Sequence, residues 1–204
     1  MRIVSLRQTT SEHVTIVFEG GQEIKSTLGA VTELRLFSGR ELSGQDMELL
    51  TRDSRRALAR EKALEYVSQR QMSAKELGKK LREKGADEET ADYCVRWIMD
   101  RGLIDEERYA AAIARHYAAK GYGEGRVRQE LQRRGVPREL WEEALAQMPE
   151  DTSKIDRFVQ SKLRDPDDRD AVRKLSAALY RRGYSGEEIR AALDRARASY
   201  EYED

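Results

Sequence analysis

Gly102-Leu-Ile-Asp-Glu-Glu-Arg-Tyr-Ala110, running on to Gly121-Tyr-Gly-Glu-Gly-Arg-Val-Arg-Gln-Glu-Leu-Gln-Arg-Arg-Gly135, is the stretch on which the fold turns. It reads as two amphipathic helices punctuated by glycines, the second loaded with arginine. No residue in it makes a nucleophile, a metal cluster or a cofactor cradle. Working outward, its last six residues have counterparts on both sides, Lys80-Leu-Arg-Glu-Lys-Gly85 and Ala178-Leu-Tyr-Arg-Arg-Gly183. Each places Leu four residues before Gly and a basic residue directly before it. Gly85, Gly135 and Gly183 are separated by 50 and 48 residues, a period expected of helical arrays. The pattern predicts a helix that ends on a left-handed glycine, with Lys or Arg facing the negative end of the dipole. Asp87, Pro137 and Ser185 then open the next helix.

Apolar residues recur at helical spacing from about Asp46 onward, through Ala63-Leu64-Val67, Leu77-Leu81, Val95-Ile98 and Ile113-Tyr117 to Ile189-Leu193. They predict nine helices grouped in threes: repeats over 56–103, 104–150 and 151–200, with a helical connector at 46–55 and a frayed tail at 201–204. Ser43-Gly-Gln-Asp46 reads as a helix start and Ser73-Ala-Lys-Glu76 as a capping box. Pro137, Pro149 and Pro166, the only prolines, fall at helix starts or connections. Residues 1–45 differ. Ile3–Leu6, Val14–Phe18 and Gln22–Lys25 are short and β-branched, and Gly20-Gly21 makes a hairpin turn. Two or three strands are marginal alone, so they must lean on the helices that follow. Leu28–Leu36 fits a short helix or another strand. The fold class expected is mainly α: three tandem three-helix repeats forming an elongated curved array, preceded by a small β-containing segment.

Composition agrees. Charged residues make up 37% of 204, and the mean hydropathy is −0.81, so cores must be thin. A formal net charge of zero argues against a whole-molecule polyanion binder but leaves room for local basic patches. The single cysteine, Cys94, has no partner for an internal disulfide and points to a reducing compartment. With no apolar run near 18 residues and no leader after Met1, the expectation is a cytoplasmic protein with no membrane partner.

The densest charge lies at 115–138: Arg115, Lys120, Arg126, Arg128, Arg133, Arg134 and Arg138, seven cations against Glu124 and Glu130. This cluster is a candidate surface for DNA phosphate or an acidic protein. Its plainer alternative is a solvated helix face with intrahelical pairs such as Arg126–Glu130. Lys75, Lys79, Lys80, Arg82 and Lys84, and Arg181 and Arg182, occupy equivalent positions in the first and third repeats. Gly121–Gly125 follows a helix rather than a strand and lacks Gly-Lys-Ser/Thr, so it reads as a tight turn and not a phosphate loop. Tyr122, within that turn, is either a partner contact or packing. Asp105, Glu106 and Glu107 suit a helix start better than acid–base chemistry. His13, His116 and Cys94 lack ligand spacing, so no metal, cofactor or catalytic residue is expected. Trp97 and Trp141 sit at packing positions in the last helices of their repeats.

As a set, Ser73-x-x-Glu-Leu77 with Lys80–Gly85, Gly102-Leu-Ile-Asp105 with Glu107-Arg-Tyr-Ala110, Gly121-Tyr-Gly123 and Arg128-Gln-Glu-Leu131 resemble the RecX regulatory proteins. The resemblance spans residues 55–200, and the β-containing start looks like the extra N-terminal segment of some members. Where the family pattern often has Pro after Gly-Tyr-Gly, this chain has Glu124. The resemblance implies a non-enzymatic regulator that binds the RecA filament, with DNA met directly or through the filament, and the polar surfaces suggest a monomer. It would curb recombinase, ATPase and coprotease activity in recombination, DNA repair and the SOS response. A stand-alone DNA-binding helical module is the competing expectation.

Overall fold

A computed structural model describes residues 1–165 and 167–201; Pro166 and most of the expected frayed tail lie outside them. Three antiparallel strands come first: β1 (Ile3–Gln8), β2 (His13–Phe18) and β3 (Glu23–Thr27), in the order β1-β2-β3. Gly20 and Gly21 turn the second hairpin with φ of 94° and 83°. The ambiguous stretch after β3 is a short helix, α1 (Leu28–Glu33), capped by Thr27. Residues 39–42 then run back beside the start of β1, where Gly39 N donates to Ile3 O and Leu42 N to Met1 O. One end of an otherwise open sheet edge is thereby paired.

The helices follow in threes: α2 (Gly44–Gln69), α3 (Ala74–Glu83) and α4 (Glu88–Met99); α5 (Glu106–Ala119), α6 (Glu124–Arg133) and α7 (Trp141–Ala146); α8 (Ser153–Lys162), α9 (Arg169–Arg181) and α10 (Gly186–Glu201). A single 3-10 turn, Arg138–Leu140, leads into α7. No break falls between the expected connector and first repeat: α2 is one helix of 26 residues. Its N-terminus is held by a reciprocal box in which Ser43 Oγ accepts from Asp46 N and Asp46 Oδ2 accepts from Ser43 N, each at 3.1 Å. Ser73, Asp87, Asp105, Asp168 and Ser185 cap later helices, the side chain of each accepting from an amide of the first turn.

Two compact units are present, residues 1–104 and 105–204. The first holds two small cores. Ile3, Val14, Ile16 and Phe18 of the sheet pack with Leu36, Leu42 and Leu50, so the sheet leans on α2 as its marginal size requires. Ala63, Met72, Leu77, Leu81, Ala91, Cys94 and Ile98 form the core of the first helix trio. The second unit holds one core centred on Val127, Leu131 and Trp141 and another on Val159, Leu175 and Leu179. Four thin cores are the structural form of a chain that is 37% charged.

The repeated Leu-x-x-x-Gly step is a double backbone closure. At Gly85, Gly85 N donates to Arg82 O and Ala86 N to Leu81 O; the same pair of bonds forms at Gly135 and Gly183. The three glycines have φ of 92°, 69° and 89°, and the leucines four residues earlier are at most 1% exposed. A Cβ at Gly85 would meet nothing within 4 Å, whereas one at Gly183 would stand 2.1 Å from Arg126 N. Gly85→Ala should therefore cost only the left-handed backbone penalty, about 1–2 kcal/mol. Gly183→Ala should cost clearly more, read as the difference between the two variants in urea unfolding of the full chain.

Candidate functional site

The arginines of residues 115–138 do not form one uniform face. On α6, spacings of three and four residues bring Arg126, Arg133 and Arg134 around a single carboxylate, Glu130, which is 3% exposed. Arg126 Nη2 donates to Glu130 Oε1 at 2.9 Å, Arg133 Nη2 to Oε2 at 2.7 Å, and Arg134 Nε lies 3.7 Å from Oε2. Arg134 also donates to the Tyr109 hydroxyl at 2.9 Å. Burial pushes the Glu130 carboxyl up. Hydrogen bonds from Arg133 and Tyr117 and the charges of Arg133 and Arg126 outweigh it, so the group sits below its ordinary 4.5.

The remaining cations are held differently. Arg128 forms a two-pronged pair with Glu142 at 2.7 and 3.2 Å and lies 3.5 Å from Glu124. Arg115 donates to Gln147 Oε1 at 2.7 Å, and the Arg138 guanidinium lies 5.5 Å from the Trp141 ring centroid. The plainer alternative, intrahelical pairing, thus describes Arg126 and Arg133, while Arg128 is held chiefly from α7. Pairing fixes these side chains without removing them from water, since Arg133 keeps 65% of its side-chain exposure.

Lys120, Tyr122 and Arg182 meet at the contact between the second and third helix trios. Gly121–Gly125 is the helix-to-helix turn expected, and it also docks on the end of α9. Gly123 N donates to Arg182 O at 3.0 Å and Gly125 N to Gly183 O at 2.9 Å. A Cβ on Gly123 would lie 2.5 Å from Gly183 O, so the backbones approach as only glycine allows. Tyr122 is half-buried, its ring 5.6 Å from that of Tyr117, with the Arg182 and Arg126 guanidiniums 5.4 and 6.0 Å from its centroid. Packing therefore holds Tyr122. Arg182 also reaches Gly121 O at 3.3 Å and stacks 4.3 Å from the Phe158 centroid.

Positional equivalence does not carry over into equivalent surroundings. Lys80, Glu130 and Ala178 stand at the same step before their glycines, yet Lys80 lies 4.8 Å from the Tyr66 ring centroid. Lys79 is 3.7 Å from Glu83 and Arg82 is 3.9 Å from Asp92, while Lys84 borders a groove beside Leu58 and Leu81. Arg181 stands next to Tyr180, which is 73% exposed. Sequence reasoning passed over Glu130 as a hub. It passed over the contribution of α8, where Lys154, Arg157 and Phe158 line a pocket with Lys120 and Arg182. It also missed the two guanidiniums over Trp97, Arg101 at 3.9 Å and Arg60 at 5.5 Å. The i, i+3 and i, i+4 steps from Lys154 to Arg157 and Phe158 were the available signal.

A chain built as three successive three-helix domains after a small sheet, with cations set at helix ends, defines a helical-repeat class of protein. Comparison with known proteins gives it a family. Family models for the first, second and third three-helix domains of RecX match residues 59–96, 105–145 and 150–193 in that order. Regulatory protein RecX of Vibrio campbellii is 31% identical over 150 residues, covering 72% of this chain and 93% of its own length. Its counterpart in Xanthomonas axonopodis pv. citri is 35% identical over 135 residues, covering 65% and 83%. A crystal structure of regulatory protein RecX superposes with a TM-score of 0.77 at 22% identity, covering 95% of this chain and 98% of that one. RecX from Lactobacillus salivarius gives 0.62 at 20% identity, covering 69% and 96%. The chain belongs to the RecX family of regulatory proteins. Among the described residues, no helix is long and apolar enough to cross a membrane.

Glu130→Gln keeps the volume but leaves three guanidiniums without their carboxylate, and should cost about 2 kcal/mol in urea unfolding at neutral pH. The carboxyl is held below 4.5, so its contribution is fully present above that pH and is lost as pH falls through the lower folded value. The variant should accordingly lose less stability than the parent on acidification below pH 4.5.

Proposed function

We propose that this chain regulates by binding rather than by catalysis: it engages the RecA–DNA filament in the cytoplasm and restrains RecA's recombinase, ATPase and coprotease activities. The observation that carries this is the presence of all three RecX domains in order, in a chain that spans 93% of a relative named regulatory protein RecX. The charge arrangement supports it. Arg126, Arg128 and Arg133 are held by acids yet remain partly exposed, so they meet a partner with less side-chain freedom to lose. Arg115, Lys120, Tyr122, Arg134 and Arg182 are further proposed contacts. Lys79, Lys80, Arg82 and Lys84, and Arg181, offer further contacts at other helix ends. Several weak contacts along a filament combine into tight binding when the geometry lets them engage together. Cys94 is buried and its thiol is pushed up to about 11, chiefly by burial, which keeps it unreactive.

Titration of the full chain into RecA turning over ATP on single-stranded DNA tests this. Inhibition with fewer copies of the chain than of RecA is expected, because a bound molecule that hinders protomer addition silences many protomers. Unchanged ATPase at a molar excess overturns the proposal. Unchanged ATPase combined with tight, steeply salt-dependent binding to bare DNA would identify a stand-alone DNA-binding module instead.

A further inference from the structure

One cluster of cations gathers from separate helices around a single pocket. Lys120 at the end of α5, Lys154 and Arg157 on α8, and Arg182 at the end of α9 line a shallow pocket of about 340 Å³ floored by Gly121 and Phe158. None of the four lies within 4 Å of a carboxylate among the described residues, whereas Arg56, Arg126, Arg128, Arg133 and Arg195 each do. Three of them are turned onto neutral oxygens. Lys154 Nζ donates to Ala119 O, Arg182 Nη1 to Gly121 O at 3.3 Å, and Arg157 Nε and Nη2 to Ser153 O and Oγ, each at 3.1 Å. Two acids are near. Asp151 is engaged by Ser153 and feels the charges of Arg157 and Lys154, and Asp156 is bound by Arg195 at 2.7 Å. The pocket keeps a clear positive excess.

We infer that this pocket is a phosphodiester-binding site for a nucleic-acid strand, assembled from the second and third helix trios. Charged donors satisfied only by backbone carbonyls and a hydroxyl gain on exchanging them for an anionic oxygen, because the attraction then acts between two full charges of opposite sign. Two guanidiniums and two ammoniums supply more donors than one carboxylate can accept, and suit the several oxygens of a phosphate. The pocket is shallow and open, so a phosphate can enter while still joined to its strand on both sides. Its walls are pre-positioned: the bonds from Gly123 N to Arg182 O and from Gly125 N to Gly183 O fix the end of α9 against the turn that follows α5. This inference extends the filament-binding proposal by assigning part of that binding to DNA.

The test is binding of a fluorescein-labelled oligothymidylate to the full chain alone at low salt, read by anisotropy across a salt series. Lys120→Gln/Arg157→Gln changes two exposed side chains and should leave the unfolding midpoint unchanged. It should weaken binding about tenfold and flatten the plot of log affinity against log salt by about 0.7 for each phosphate no longer neutralised. Lys120→Arg/Arg157→Lys should bind like the parent. Arg7→Gln/Arg173→Gln removes the same charge elsewhere and should also bind like the parent. Excess inorganic phosphate should compete only weakly; if it displaces the oligonucleotide readily, the site takes free phosphate rather than a strand. A parent that does not bind the oligonucleotide, or a neutralised pocket that binds it unchanged, overturns the inference. Unchanged DNA binding with weakened binding to RecA filaments would assign the pocket to an acidic protein surface. Because the parent's effect on RecA ATPase is measured separately, failure of this site and failure of the regulatory proposal are distinguishable.

Discussion

Everything in the helical part depends on a glycine that leaves a helix in the left-handed conformation. At Gly85, Gly135 and Gly183 the backbone turns within two residues, two amides close onto carbonyls of the last turn, and the preceding leucine is pinned in the core. A side chain at that φ costs energy wherever it stands. The closure sets the direction in which the next helix leaves, so three short helices can enclose a small core. Gly102 and Gly121 repeat the device with φ of 62° and 73°.

At one place the same constraint does a second task. Gly183 ends α9 and also receives the backbone of Gly125, while Gly123 donates to Arg182. Two trios are joined by main-chain bonds as well as by side chains, and no Cβ fits where the backbones meet. The junction orients Arg182 toward Gly121, Tyr122 and Phe158. It also brings basic residues from three helices around one pocket. Backbone closure, trio docking and local charge are therefore one chain of cause.

Much of this was legible in the residues, and the exceptions have physical reasons. The three glycine steps, the capping Ser and Asp residues and the β-branched start translate local propensities directly, and they fold as read. The boundary expected near residue 55 does not interrupt the helix, because Ala57 and Leu50 are buried on a continuous α2 whose halves serve two cores. The pairing of Glu130 with Arg126, Arg133 and Arg134 was readable from spacing, but the link from Arg134 to Tyr109 was not, because Tyr109 lies 25 residues away in sequence. Lys154 and Arg157 show in the sequence only as neighbours on one helix face, because Lys120 and Arg182, which complete the pocket, come from other helices. Side-chain clusters that need docking of two trios cannot be read from one helix at a time.

Hydrogen exchange of the full chain, free and with RecA filaments formed on single-stranded DNA, addresses the central claim that this chain acts by binding the filament through its basic helix ends. Slower exchange with filaments present at residues 118–126, at the first turns of α8 and along α6 is the expected result, with the N-terminal sheet changed least. Exchange that is identical throughout the chain with and without filaments would contradict it.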